Sequence, residues 1–121
     1  MKQEQPVASC HCGAVSIALT AYPSVVTECN CSLCRSYGVV WAYYTADNVS
    51  VPADAQTDSY ACNGQNVDFH RCSSCGCTTH WVPRDARRNR RGINARLLPR
   101  EQLEKARLRH RDGANTGEYL D

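Results

Sequence analysis

Three clusters of cysteine residues are the part of this sequence best suited to chemistry. They are Cys10 and Cys12, then Cys29, Cys31 and Cys34, then Cys72 and Cys75. Cysteines at CxC and CxxC spacing are well placed to bind one metal ion and poorly placed to form a disulfide with each other. The chain has nine cysteines, an odd number, so they cannot all pair within it. The clusters therefore favour metal binding over a disulfide framework.

The seven clustered cysteines divide naturally into four and three. A structural zinc site has four protein ligands in a tetrahedron, whereas a catalytic site has three and leaves one position for water or substrate. A CxC pair and a distant CxxC pair each supply two vertices, so we expect Cys10, Cys12, Cys72 and Cys75 to form a closed structural site. Zinc binding at such a site contributes on the order of 10 kcal/mol to the folding of a small domain.

The middle cluster, Cys29, Cys31 and Cys34, offers three thiolates within six residues and leaves a fourth position open. Zinc there would lower the pKa of an incoming thiol or polarise a carbonyl group. The alternative is that Cys62, Cys77 or a histidine fills the fourth position and makes the site structural. We expect two zinc ions per chain, the second held more weakly because it has only three ligands.

Two residues after the middle cluster are candidates for substrate contact. Arg35 is suited to bind an anionic group such as a carboxylate, and Tyr37 is suited to position a proton donor beside the metal. Packing on the far side of the loop is the competing interpretation for both. Asn94 and Arg96 are weaker candidates. Their segment has two interpretations, a strand with a structural role or a wall of the site.

The remaining cysteines and histidines have weaker claims. His11 and His70 flank the expected closed site, and His80 follows Cys77 by three residues, but a single histidine beside a cysteine turn more often packs or forms hydrogen bonds than binds metal. Cys62 and Cys77 are either buried small apolar residues, which we favour, or a redox-sensitive pair.

Length and composition predict one small domain spanning residues 1–121. The N-terminal sequence MKQEQPVA lacks the apolar stretch of a secretory signal, so the expected location is the cytoplasm. The longest apolar run, Val39 to Tyr44, has the length of a strand, and no membrane span is expected.

Positive charge is concentrated near the C-terminus. The net charge is +2, but residues 84–111 hold eleven Lys and Arg against three acidic residues, a local excess of +8. Such a segment can follow a phosphate backbone, yet no aromatic residue interrupts Arg88 to Arg91 to stack on a base. A solvated loop and helix face is the favoured interpretation, and a nucleic-acid partner is not expected.

Alternating apolar residues and frequent turn signals predict a mainly β fold. The expected strands are Val15–Thr20, Ser24–Glu28, Val39–Thr45, Val49–Val51, Thr57–Ala61, Val67–Arg71, Thr78–Val82 and Gly92–Leu98. Pro99–Arg109 is the only expected helix. Exposed strand edges in so small a domain are compatible with a homodimer.

Five segments in order resemble one family. They are CHCGAVSI with Cys10 and Cys12, CNCSLCRSYGVVWAYY from Cys29 to Tyr44, CSSCGC from Cys72 to Cys77, GINARLL from Gly92 to Leu98, and DGANTGEYL near the C-terminus. This ordered set, which covers nearly the whole chain, resembles the glutathione-dependent formaldehyde-activating enzyme family and its centromere-associated relatives.

The resemblance implies a β-tent fold of packed antiparallel sheets, to which the residue pattern adds at most one short helix near the C-terminus. It implies a structural zinc on Cys10, Cys12, Cys72 and Cys75, and a catalytic zinc on Cys29, Cys31 and Cys34. The implied activity is that of a carbon–sulfur lyase acting on S-hydroxymethylglutathione, formed from glutathione and formaldehyde, or on a related adduct of a thiol and an aldehyde. The alternative is a non-catalytic zinc module that binds a protein or nucleic acid through its basic C-terminal third.

Overall fold

The computed structural model describes residues 5–61 and 66–121, which form two β-sheets and two short α-helices. The strands are β1 (Val7–Ser9), β2 (Ser16–Leu19), β3 (Val25–Cys29), β4 (Trp41–Tyr44), β5 (Val49–Ser50), β6 (Thr57–Ala61), β7 (Val67–Cys72), β8 (Thr78–Pro83), β9 (Arg91–Asn94) and β10 (Arg107–Arg111). The helices are α1 (Ser32–Tyr37) and α2 (Arg100–Lys105), and 3-10 turns cover Ala46–Asn48 and Ala95–Leu97. The predicted mainly β fold is confirmed.

The strands form one small sheet and one large sheet. The small sheet has the order β1-β2-β5, and the large sheet has the order β10-β3-β4-β9-β8-β7-β6. Neighbouring strands are antiparallel except β10 and β3, which run parallel over five residue pairs. That parallel pair departs from the purely antiparallel arrangement expected from sequence.

Alternating side chains of β2 supply the main core. Ile17 is fully buried and Leu19 nearly so, whereas Ser16 is exposed and Ala18, between the two core positions, is half-buried. They pack with Val26 of β3 and Ile93 of β9, which are also almost fully buried. Each such buried aliphatic side chain stabilises the fold by roughly 1.5–3 kcal/mol. This core fixes the small sheet against one face of the large one.

The opposite face of the large sheet carries a second apolar cluster that includes two of the cysteines. Cys29, Cys34, Val39, Trp41 and Trp81 are all buried there. Because successive strand residues point to opposite faces, Trp41 joins this cluster while its neighbours in sequence join the main core. Strand β4 therefore links the main core directly to the middle cysteine cluster.

Close packing at one glycine completes this second cluster. Gly92 of β9 is paired with Trp81 of β8, and a Cβ atom added at Gly92 would collide with the indole ring of Trp81. Because Gly92 has no side chain, the Trp81 indole can pack directly against the backbone of β9.

The C-terminal third differs most from the sequence prediction. The helix expected over Pro99–Arg109 is confined to Arg100–Lys105, and Arg107–Arg111 forms β10 instead. The strand expected over Gly92–Leu98 ends at Asn94 and continues as a 3-10 turn. A long-range partner, β3, supplies the hydrogen bonds that convert the end of the expected helix into a strand.

Helix α1 was not expected. It begins after Cys31, whose side chain accepts a hydrogen bond from the backbone N–H of Cys34, and ends at Gly38, whose φ of 65° is the left-handed conformation that favours glycine. Helix α1 therefore adds a second short helix to the one expected near the C-terminus. Neither helix in the described ranges has the length and apolar character needed to span a membrane.

Candidate metal centres

The first cysteine cluster brings four sulfur atoms together. The Sγ atoms of Cys10, Cys12, Cys72 and Cys75 all lie within 4.8 Å of one another. The Cys12 sulfur lies 3.7 Å from that of Cys10 and 3.6 Å from that of Cys72. Four sulfurs at about 2.3 Å from a tetrahedral zinc ion are separated by about 3.8 Å. The spacing of these four cysteines therefore fits a closed zinc site.

Two tight turns position these sulfurs. In the first, the backbone N–H of Val15 donates to Cys10 Sγ at 3.2 Å, and Gly13 has a φ of 82°. In the second, the backbone N–H groups two and three residues after Cys72 donate to its Sγ at 3.4 and 3.5 Å, and Gly76 has a φ of 78°. Both turns need a left-handed residue, which glycine adopts without strain. The turns also direct N–H groups at sulfur, which favours the thiolate form that binds metal.

Backbone N–H groups and neighbouring thiols shift the pKa values of these cysteines. Backbone N–H groups of Cys77 and Cys12 lower the pKa of Cys75 to about 5. Backbone N–H groups of Cys75 and Ser74 also lower the pKa of Cys72. The backbone N–H of Ala14 lowers the pKa of Cys12, but hydrogen bonding to Cys72 and burial outweigh it and raise that pKa to about 11. The cluster shares protons between neighbouring sulfurs, and these are the protons that a bound cation displaces.

The second cluster brings three sulfur atoms together at the end of β3. The Sγ atoms of Cys29, Cys31 and Cys34 lie within 4.8 Å of one another, and no fourth His, Cys, Asp or Glu of the described residues joins them. Cys31 caps helix α1, and Cys34 lies one turn later, so the helix itself sets their separation. The indole Nε1 of Trp41 donates to Cys34 Sγ at 3.3 Å. Three convergent thiols with a fixed geometry fit a metal ion that keeps one open position.

Burial and hydrogen bonding act in opposite directions on this cluster. Burial raises the pKa of Cys34 to about 12, although the hydrogen bond from Trp41 lowers it. Burial also raises the pKa of Cys31, but hydrogen bonds from Cys34 and Cys29 and from the backbone outweigh this effect and the net pKa is lowered. Cys31 is therefore the more readily ionised of the two.

A cleft of about 550 Å³ opens above the three sulfurs. Its lining consists of the three cysteines together with aromatic residues, arginines, a valine and two glycines: Trp41, Tyr43, Phe69, Trp81, Tyr119, Arg88, Arg90, Arg111, Val67, Gly113 and Gly117. Burial, followed by the nearby Tyr119, raises the pKa of Tyr43 to about 12. Tyr43 is therefore harder to ionise than an exposed tyrosine.

The loop after β10 passes directly against the second cluster. A Cβ atom added at Gly113 would collide with Cys29 Sγ. Asn30 holds this loop in place, because its Nδ2 donates to Asp112 Oδ1 at 2.9 Å and its Oδ1 accepts from the backbone N–H of Ala114 at 2.9 Å. The lack of a side chain at Gly113 thus keeps space beside the sulfurs.

The residues expected to contact substrate lie elsewhere. Arg35 and Tyr37 are not among the residues that line the cleft, and Tyr37 packs edge-on against Phe69 with ring centroids 6.1 Å apart. The buried Asn94 donates to the Thr78 carbonyl and caps the following turn. Arg96 Nε donates to the Gly38 carbonyl at 2.7 Å, which supports the end of α1.

The leftover candidate ligands do not complete the second cluster. Cys77 is hydrogen-bonded to Cys75 and packs against the main core beside the first cluster. The rings of His70 and His80 stack on each other with centroids 4.6 Å apart, and the side chain of His11 is exposed. Cys62 lies outside the described residues. The interpretation in which Cys77 fills the fourth position of the middle cluster is therefore wrong.

The structure adds site residues that the sequence did not indicate. Arg88, Arg90 and Arg111 line the cleft, although the sequence placed the basic segment on a solvated surface. Gly113 belongs to the DGANTGEYL segment. Its place among the five segments that resemble the family was the sequence feature that could have pointed to this residue. Trp41 follows the cysteines in the same motif and lies beside Cys34.

Comparisons with known proteins give a family match and a similar solved structure. Residues 5–109 match the family model described as glutathione-dependent formaldehyde-activating enzyme. Among solved structures, the chain is similar to a protein from Rhodobacter sphaeroides, with 25% sequence identity and a TM-score of 0.67. The alignment covers 84% of this chain and 98% of that one. The comparison with curated proteins finds no match.

Proposed function

The chain belongs to the glutathione-dependent formaldehyde-activating enzyme family, and we propose that it is a zinc-dependent carbon–sulfur lyase. Its substrate in this proposal is S-hydroxymethylglutathione or a related adduct of a thiol and an aldehyde. The observation that carries the proposal is the position of Cys29, Cys31 and Cys34, whose three sulfurs meet at the base of an open cleft.

The two clusters have different roles in this proposal. Cys10, Cys12, Cys72 and Cys75 hold a structural zinc that joins the turn before β2 to the β7–β8 hairpin. Cys29, Cys31 and Cys34 hold the catalytic zinc, which, when bound, lowers the pKa of an incoming thiol and polarises a carbonyl group. Two zinc ions per chain follow from this division.

The reaction in the direction of adduct formation joins the thiol sulfur to the carbonyl carbon of the aldehyde. The carbon–oxygen double bond becomes a single bond, and the oxygen gains the proton that the thiol loses, so the product is a hydroxymethyl thioether. The reverse reaction breaks the same carbon–sulfur bond. Atoms balance in both directions without an oxidant or reductant.

Several cleft residues assist this chemistry. Tyr43 lines the cleft, and its hydroxyl is the donor of a hydrogen bond to the oxygen on which charge develops. The rings of Trp41 and Trp81 cover the buried side of the cleft and exclude water from it. Gly113 leaves the space in which the thiol approaches the cysteines.

The test is a direct assay of hemithioacetal formation from glutathione and formaldehyde by NMR exchange spectroscopy. The wild-type protein is expected to accelerate exchange above the uncatalysed rate, and Cys31→Ser is expected to abolish the acceleration. Cys77→Ser is the matched control, because Cys77 lies outside the middle cluster, and it should retain activity. Exchange at the uncatalysed rate with the wild-type protein would sink the proposal, and salt-dependent DNA binding would then favour the non-catalytic module.

A further inference from the structure

Three arginines from two separate parts of the chain meet at the cleft above the middle cysteine cluster. Arg88 and Arg90 come from the loop between β8 and β9, and Arg111 ends β10. No Asp or Glu is among the residues that line this cleft. The cleft therefore presents three positive charges with no acidic residue in its walls.

Among the described residues, these arginines differ from their neighbours in having no carboxylate partner. Arg84 pairs with Asp68 at 2.9 Å, and Arg87 pairs with Asp85 at 3.0 Å. Within residues 5–61 and 66–121, no carboxylate lies within ion-pair distance of Arg88, Arg90 or Arg111. Asp68 of β7 and Asp85 of the loop are thus both engaged by arginines that do not line the cleft.

Aromatic faces and one backbone contact hold the cleft arginines in place. The Arg90 guanidinium carbon lies 4.3 Å from the ring centroid of Tyr43, and that of Arg88 lies 5.5 Å from the ring centroid of Trp81. Arg111 Nε donates to the Gly117 carbonyl at 3.1 Å. A guanidinium group that stacks on an aromatic ring uses its face for this contact. Its N–H groups, which point outward in its own plane, stay available to bind a carboxylate.

The proposed metal site carries a negative charge that these arginines can offset. A divalent cation with three thiolates carries a net charge of −1, and an incoming thiolate makes it −2. Carboxylates on the same ligand would be repelled further unless cations lay nearby. Three guanidinium groups offset this charge and provide bidentate partners for carboxylates.

We infer that Arg88, Arg90 and Arg111 form an anion-recognition rim, which selects a thiol that carries carboxylate groups remote from its sulfur. This inference rests on the proposed function, because it names the residues that select the substrate of the same site. The rim takes the role that the sequence suggested for Arg35, which does not line the cleft. Three of the eleven basic residues in the segment 84–111 thus have a place in the cleft.

The two tryptophans of the chain provide a direct reporter, since both Trp41 and Trp81 line this cleft. Binding is measured on the zinc-loaded protein by titrating the two indole N–H resonances with glutathione, with its diethyl ester and with the neutral thiol N-acetylcysteamine. Glutathione is expected to bind roughly tenfold or more tightly than the diester or the neutral thiol, the size of one lost charged hydrogen bond or more.

Substitutions at the rim test the residues themselves. Arg90→Gln and Arg111→Gln are each expected to weaken glutathione binding by roughly tenfold while leaving diester binding unchanged, and Arg90→Lys should restore part of the loss. Arg87→Gln is the matched control on the same loop, because its side chain is 92% exposed and pairs with Asp85. That variant should bind glutathione as the wild type does.

The outcomes separate this inference from the proposed reaction. Equal affinities for the three thiols, no binding of any of them, or an equal loss in Arg87→Gln would overturn the rim. Arginine-dependent binding of glutathione without faster hemithioacetal exchange would support the rim and contradict the reaction. Accelerated exchange with no preference among the three thiols would do the reverse.

Discussion

The indole Nε1 of Trp41 lies 3.3 Å from the Sγ of Cys34 and donates a hydrogen bond to it. Trp41 is the first residue of β4 and only 2% of it is exposed, so its position is set by the packing of the large sheet. The neighbouring residues Val40 and Ala42 pack in the main core. The core of the protein therefore orients a sulfur of the middle cluster.

Replacing Trp41 by Phe should weaken metal binding at the middle cluster. The phenyl ring keeps most of the apolar packing but cannot donate to Cys34, and loss of such a supporting hydrogen bond typically costs roughly 10- to 100-fold in metal affinity. Competition with a chromophoric chelator measures this affinity. Metal at the Cys10 and Cys72 cluster should be unaffected, and an unchanged affinity at the middle cluster would show that the indole contact has no supporting role.

Adding one methyl group at Gly113 should disturb the same cluster from the other side. In Gly113→Ala the new Cβ collides with Cys29 Sγ, so the loop or the sulfur must move. We expect loss of metal from the middle cluster and of hemithioacetal activity, with the far-ultraviolet circular dichroism spectrum retained. Ala114→Gly, one residue later in the loop, is the control and should keep its metal. Full metal binding by Gly113→Ala would refute the proposed close approach.

Removing one ligand of the closed cluster should unfold the protein. Zinc-site formation is worth on the order of 10 kcal/mol, comparable with the entire stability of a small domain. Cys72→Ser should therefore be largely unfolded in a urea titration, whereas Cys77→Ser, which changes a cysteine of the same turn, should lose less than about 1 kcal/mol. A cooperative unfolding transition of wild-type midpoint in Cys72→Ser would contradict the structural role.

The protein should become less stable as the pH is lowered, because His80 is buried. It is 3% exposed, and burial, followed by the charges of His70 and Arg91, lowers its pKa from 6.5 to about 4. Between these values the unfolded chain binds more protons than the folded one, so stability is fully present above about pH 6.5 and is lost as the pH falls toward 4. The loss amounts to up to about 3 kcal/mol.

The measurement is urea unfolding of the wild type and of His80→Gln at pH 7.0 and pH 5.0. Gln removes the titrating group, while losses from other groups and from metal release are common to both proteins. The wild type should therefore lose more stability than the variant over this range. Equal losses in the two proteins would mean that His80 does not contribute to the pH dependence.

The parts of the site that the sequence predicted are those encoded by short-range spacing. Three cysteines within six residues, or one CxC or CxxC pair, bring their own sulfurs together through a single local turn. The exception is the meeting of the Cys10–Cys12 turn with the Cys72–Cys75 turn, a long-range contact that the sequence predicted from the number of ligands and that places four sulfurs within 4.8 Å of one another. The strands around the cysteines were likewise indicated by local alternation. The α1 turn was missed because the cap at Cys31 depends on a side chain that was assigned only to metal binding.

The remaining parts depend on contacts between distant segments. Arg111 reaches the cleft because β10 pairs with β3, and nothing within Arg107–Arg111 specifies that partner. Gly113 matters because its loop is held by Asn30, more than eighty residues earlier. Such partners become visible only when the whole sheet is assembled.

The number of zinc ions per chain tests the central claim of two unlike sites most directly. Native mass spectrometry of the zinc-loaded protein, before and after treatment with a mild chelator, counts them. Four ligands hold zinc more firmly than three, so we predict two ions before treatment and one afterwards, with the fold retained. A single zinc ion before treatment, or two that both resist the chelator, would contradict the account.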